Sequence, residues 1–281
     1  MLPPVPEVIN WAKTMAVCWV NGPQRGSLRA VELDTKIALD DVLGVDTQKG
    51  KVVQNTQQFL KGLPANNVLL TGSRGTGKSS LIKALLNEFA PQGLRIIQVE
   101  KQDLQNMPQI LEQIAGHPYW YILFCDDLSF NEDDANYKVL KSILDGALYA
   151  LPANVSIYAT SNRRHLLPEY QRDNEQTEML NNEIHHGEMV EEKISLSDRF
   201  GLWVSFYPMN QTLYLAIAQH WVTRLGTAME PTADFLVEWS DLAREESLRW
   251  ALARGNRSGR SAYQFAQHWV GQVILEARSS S

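Results

Sequence analysis

Residues 72–79 read Gly-Ser-Arg-Gly-Thr-Gly-Lys-Ser and fit the phosphate-binding pattern G-x-x-x-x-G-K-[ST] without a gap. Before them stands Asn-Val-Leu-Leu-Thr at 67–71, an apolar run of strand length. After them, residues 80–89 carry apolar side chains at helical spacing. Strand, glycine-rich loop and helix in that order leave few folds open, because such a loop works only where its amides converge at a helix N-terminus. Gly72, Gly75 and Gly77 lack the Cβ that would keep the backbone N–H groups from turning inward around an anion. Ser73, Arg74 and Thr76 complete the loop, and Ser80 follows it into the helix. Lys78 is expected to reach the β- and γ-phosphates of ATP or ADP, and the Ser79 hydroxyl to ligate Mg²⁺. A turn that only caps a helix would need neither group.

Around this loop the chain alternates. Strand patterns at 94–99, 119–125 and 155–160 are interleaved with helical patterns at 48–60, 107–115 and 136–150. Alternation of this kind predicts an α/β fold, a parallel sheet flanked by helices. A last strand is expected at 203–207. From residue 209 onward the pattern is helical, with Trp221, Trp239, Trp250 and Trp269 as packing anchors. Three parts are therefore expected: an N-terminal extension at 1–35, an α/β nucleotide-binding domain at 36–208, and a small all-helical domain at 209–281. Inside the second, residues 168–195 hold eight acidic residues against Arg172 and Lys193 and read as a surface insertion facing a partner or a pore.

Composition narrows the setting. A net charge of -6 weighs against a surface coated with cations for constitutive nucleic-acid binding. The two cysteines, Cys18 and Cys125, are far apart in sequence and form no disulfide framework, so a reduced, cytoplasmic setting is expected. No run approaches the ~18 apolar residues of a membrane helix, and no membrane partner is expected. Prolines and Glu7 stand near the N-terminus, where a signal peptide would carry a basic run and an apolar core.

The apolar run Ile-Leu-Phe-Cys at 122–125 delivers two acids, Asp126 and Asp127, at the carboxyl end of a buried strand, where parallel sheets place their ligands. Asp126 is expected to hold Mg²⁺ through its water shell. Asp127 is expected to orient or deprotonate the attacking water. Residues 64–79, 123–130, 159–168 and 195–202 together resemble the AAA+ ATPases, and more narrowly a bacterial AAA+ group catalogued as a domain of unknown function. The resemblance covers about residues 39 to 270.

The resemblance implies a P-loop AAA+ sheet followed by a C-terminal all-helical lid. It further implies that Asn162 is the polar sensor beside the γ-phosphate. Arg199 in Ser-Asp-Arg-Phe-Gly matches the arginine finger offered to a neighbouring subunit, where a guanidinium can spread over transition-state charge. Arg260 matches the second sensor arginine, with Arg257 as its competitor. Leu43, Gly44 and Val45 stand where this class packs adenine. A homo-oligomer acting on a protein partner is implied; a DNA-associated loader or helicase helper is the less favoured reading, and a P-loop kinase or nucleotide-sensing module is the third.

Two weaker signals point elsewhere. His185, His186 and Glu188 are poorly spaced for zinc and read as a solvated loop. Arg163, Arg164 and His165 read as a subunit-facing or acid-pairing cluster before they read as phosphate ligands. One departure carries a consequence. AAA+ hydrolases usually have Asp-Glu where this chain has Asp126-Asp127, and one missing methylene sets the carboxylate back by ~1.5 Å unless the backbone shifts or Glu132 helps. Phosphate release by the isolated chain is therefore expected to be slow. A brisk basal rate from the monomer overturns both the short-base reading and the role of Arg199 in trans.

Overall fold

The computed structural model describes residues 9–22, 25–32, 37–130, 134–146, 151–163, 166, 198–229 and 237–279. The acidic insertion, Glu132, Arg164, His165, His185, His186 and Glu188 lie outside the described residues. Those described build a seven-stranded sheet from β1 (Ala16–Val20), β2 (Ser27–Ala30), β3 (Val68–Gly72), β4 (Leu94–Gln98), β5 (Trp120–Cys125), β6 (Val155–Ser161) and β7 (Leu202–Phe206). Its order is β2-β1-β4-β5-β6-β3-β7. Strands β1, β4, β5, β6 and β3 run parallel as successive neighbours, and β2 lies antiparallel on β1. The expected parallel sheet thus carries an antiparallel edge.

Strands buried on both faces read as unbroken apolar runs, and Val68, Leu69, Leu70, Tyr121, Ile122 and Leu123 are all fully buried. The flanking helices are α1 (Asp46–Leu60), α2 (Lys78–Phe89), α3 (Met107–Ile114) and α4 (Ala135–Leu144). Pro108 opens α3, where its missing N–H costs nothing. The Asp134 side chain caps α4 by accepting from the Asn136 amide at 3.0 Å. That helix ends sooner than its periodicity predicts, because Gly146 turns left-handed (φ 65°) just past Leu144.

Residues 9–22 and 25–32, within the expected N-terminal extension, pack onto the sheet. Their two strands form one edge of the sheet, with Cys18 opposite Gln98 of β4 and Trp19 opposite Leu28 of β2. The Trp19 ring lies so close over Gly26 that an added Cβ would sit 2.0 Å from it. Trp11 packs edge-on against Tyr121, with ring centroids 5.0 Å apart. The Trp11 carbonyl also accepts from buried Arg95 at 2.9 Å, and the carbonyls of Ala90 and Leu94 accept from the same guanidinium at 3.0 and 2.7 Å. Three carbonyls and the Tyr119 face, 4.2 Å away, replace the water that this cation gives up.

Two compact units make up the chain: residues 1–39, 47–72 and 78–205, and residues 40–46, 73–77 and 206–281. The second contains α5 (Gln211–Met229), α6 (Asp241–Ala253) and α7 (Gly259–Ser279). Its aromatic core gathers around Phe265, 1% exposed, against which Trp239, Trp250 and Trp269 pack with centroids 6.5, 6.1 and 5.9 Å away. Trp221 instead meets Tyr263 edge-on at 4.8 Å.

In the first unit, fully buried Tyr158 closes a polar chain under the sheet. Its hydroxyl accepts from the Asn55 amide at 3.1 Å and lies 2.9 Å from the Thr56 hydroxyl, which donates to the Val52 carbonyl. Tyr158→Phe removes the acceptor of one of the two Asn55 N–H groups, the other being held by the Asn66 carbonyl at 2.9 Å. The variant is expected to lose about 1–3 kcal/mol of unfolding free energy in urea melts; an unchanged midpoint would show that the hydroxyl is not needed.

Candidate nucleotide site

Strands β5, β6 and β3 are neighbours and parallel, so their carboxyl ends emerge side by side. Each delivers chemistry at that edge. Burial changes abruptly at the end of β5, from Cys125 at 1% exposure to the exposed Asp126 and Asp127. Burial, helped by the nearby charges of Glu100 and Asp126, pushes the Cys125 thiol up to about 12, so the strand itself stays neutral and the charge starts at its tip.

Gly72 ends β3, and Lys78 begins α2. Lys78 is 5% exposed, and its Nζ donates to the Gly72 carbonyl at 2.5 Å and to Asn162 Oδ1 at 3.1 Å. Asn162, just past β6, donates in turn from Nδ2 to the Asp127 carboxylate. Ser79 Oγ donates to Asp126 Oδ1 at 2.7 Å. Six of the residues picked from the sequence thus fall into two hydrogen-bonded sets, Gly72–Lys78–Asn162–Asp127 and Ser79–Asp126. Asp127 is also, among the described residues, the one non-glycine at positive φ (53°), a conformation that persists only when its surroundings hold it.

A magnesium ion fits this donor set. Mg²⁺ favours oxygen, keeps several waters, and is usually held by one or two protein oxygens together with substrate phosphates. Ser79 and Asp126 present such oxygens in contact with each other. Among the described residues no group of three or more His, Cys, Asp or Glu could hold a metal ion.

In the second unit the loop 73–77 turns on Gly75 (φ 74°) and Gly77 (φ 100°). Thr76 donates to the Ser73 carbonyl at 2.8 Å, and the Gly75 carbonyl accepts from the Gly259 amide at 2.8 Å. Gly259 opens α7, so this bond sets Arg260, exposed in the helix's first turn, near the loop. Arg257 leans instead toward Gln211, at 3.4 Å. On the predicted adenine segment, Gly44 (φ 71°) faces Leu213 so closely that a Cβ would meet it at 2.3 Å. Buried Asp41 anchors that segment to α5 through Arg224 and through His220 Nε2, 2.7 Å away. Sequence reading missed Asp41 and Ser258, because only the fold brings them to these segments. Arg199 Nε donates to Asp145, the residue just past α4.

A family model described as "Protein of unknown function (DUF815)" matches residues 12–273. No curated protein matches the chain in sequence. Among solved structures, the chain is similar to RuvB of Thermotoga maritima, described as a Holliday junction branch migration motor, at 18% identity and a TM-score of 0.54; the match covers 83% of this chain and 64% of that one. It is also similar to the ORC1 protein of Aeropyrum pernix, solved in complex with DNA, at 15% identity and a TM-score of 0.52, covering 86% of this chain and 65% of that one. At these identities the likeness is one of fold, the AAA+ arrangement.

Gly75 gives the loop assignment its test. Alanine there would have to adopt a left-handed backbone and place its Cβ 2.4 Å from Ser258 Cβ. Gly75→Ala is expected to weaken binding of a fluorescent ATP analogue by about tenfold or more, since left-handed strain of ~1–2 kcal/mol falls on the loop that must close around phosphate. Undiminished affinity would remove residues 72–79 from the site.

Proposed function

The chain belongs to the family described as "Protein of unknown function (DUF815)" and has the AAA+ fold, and from that premise we propose that it is an ATPase working as a homo-oligomer on a protein partner. The observation that carries this reading is the hydrogen-bonded group of Lys78, Asn162 and Asp127 beside the Ser79–Asp126 pair. Bound Mg²⁺, held by Ser79 and Asp126, would neutralise charge on the β- and γ-phosphate oxygens. Lys78 exchanges its bonds to Gly72 and Asn162 for phosphate oxygens, which carry more charge than either. Asn162, released from the lysine, keeps hold of Asp127 and shares the attacking water with it. Asp127 accepts that water's proton. Its left-handed backbone swings the short side chain toward Asn162, which offsets part of the reach lost with the missing methylene.

Arg199 is assigned to a neighbouring copy's triphosphate. In the isolated chain Asp145 holds its guanidinium, and a triphosphate with greater charge competes for it in the oligomer. Binding and hydrolysis then bias how neighbouring copies fit together, which is how an AAA+ protein acts on its partner. A DNA-associated loader is the second reading, favoured by the likeness in fold to RuvB and to DNA-bound ORC1 and opposed by the acidic balance of the chain.

Phosphate release by the concentrated protein is the test. Lys78→Ala is expected to abolish it. Arg199→Ala is expected to lower it by at least about tenfold, modest beside the 10³–10⁵ of well-studied fingers. Mixing Arg199→Ala with Asp127→Asn should restore part of the activity, because one variant brings the intact base and the other the intact arginine. Turnover indifferent to Arg199 points to a kinase or a sensing module instead. Steeply salt-dependent DNA binding by the ATP-loaded Asp127→Asn protein transfers the reading to the loader.

A further inference from the structure

Thr160 lies two residues before Asn162, inside β6, and no phosphate-loop or acid-pair motif includes it. It is 1% exposed. Three successive residues leaving β5 are nevertheless tied to it. Its Oγ1 donates to Asp126 Oδ1 at 2.5 Å and accepts from the Asp127 amide at 2.9 Å, and its carbonyl accepts from the Leu128 amide at 2.7 Å. The chain that carries both acids is wrapped around one residue of the neighbouring strand.

The hydroxyl works in both directions. It has one hydrogen, given to the Asp126 carboxylate, and it accepts the Asp127 N–H. A simple extended continuation of β5 would send the side chains of Asp126 and Asp127 to opposite faces of the sheet. The left-handed turn at Asp127 breaks that alternation, and the amide of that residue is the one Thr160 receives. Asp126 Oδ1 meanwhile accepts from both Thr160 and Ser79, so the Thr160 hydroxyl sets the carboxylate that faces the first turn of α2. On its other side Thr160 stands opposite Leu70 of β3, the strand that feeds the phosphate loop.

We propose that Thr160 is a positioning residue of the nucleotide site. Its hydroxyl orients the Asp126 carboxylate toward the magnesium position and fixes the turn that aims Asp127. The proposal rests on the ATPase reading above. It separates two kinds of nucleotide binding, since the loop's grip on phosphate does not pass through Thr160, whereas the metal-dependent part does.

The test compares the full chain with Thr160→Val, which has the same shape without the hydroxyl, and with Thr160→Ser, which restores the hydroxyl. A fluorescent ATP analogue is titrated in EDTA and again across a Mg²⁺ series, and phosphate release is measured alongside. Thr160→Val is expected to bind the analogue in EDTA within about twofold of the parent, yet to need about tenfold more Mg²⁺ and to turn over about tenfold more slowly, the effect of losing one hydrogen bond to a charged group. Thr160→Ser should stay close to the parent in all three. A valine variant with the parent's Mg²⁺ requirement and turnover overturns the proposal, and so does a serine variant as impaired as the valine one. If the valine protein melts below the assay temperature, Thr160→Ala removes the same hydroxyl and carries the same comparison. A parent that takes up no nucleotide either in EDTA or at any point of the Mg²⁺ series overturns the ATPase reading and this proposal with it; Mg²⁺-dependent binding indifferent to Thr160 overturns this proposal alone.

Discussion

Two adjacent carboxylates at the tip of a buried strand repel one another, and they are useful only if each is aimed separately. The rest of the site depends on how this is done. Asp126 is held by two hydroxyls, from Thr160 and Ser79, and Asp127 by the Asn162 amide and by its own amide on Thr160. Every one of these donors or acceptors lies at the end of β6 or the start of α2. The parallel order β5-β6-β3 brings them within reach. A different strand order would leave the same residues in the chain and no site.

The same order explains what the edges of the sheet are for. β1 and β2 extend it beyond β4 and bring Trp11 and Trp19 over its core, while the Trp11 carbonyl helps satisfy buried Arg95. These contacts lie away from the acids. They belong to the packing of the sheet on which the acids are mounted.

The second unit is organised by a different rule. Its core is aromatic and centred on Phe265, and its short segments 40–46 and 73–77 are tied to its helices by backbone bonds and by Asp41. Glycines matter here for space as well as torsion. A Cβ at Gly44 would press on the Leu213 methyls and one at Gly75 on Ser258 Cβ, so either neighbour would have to shift.

Much of this was legible in the chain. The octet at 72–79 with its flanking apolar run and helix, the acids after 122–125, and the alternation of strands and helices pointed to the fold class and to Lys78 and Asp127, because each signal is local and covalent spacing fixes it; Asn162 came only from the resemblance. Residues 1–35 were harder, since an edge strand is recognised by its partner, and β1 finds β4 some eighty residues away. Thr160, Asp145 and Asp41 could not be read at all. Each is an ordinary polar residue until folding sets a carboxylate, a guanidinium or an imidazole beside it. The sequence alone therefore determined which groups are proposed to hold phosphate, metal and water, because that proposal rests on residue types at fixed spacing. Only the tertiary structure decided which way Asp126 and Asp127 point and what holds them, because direction is set by strand order and by hydrogen bonds between residues distant in the chain.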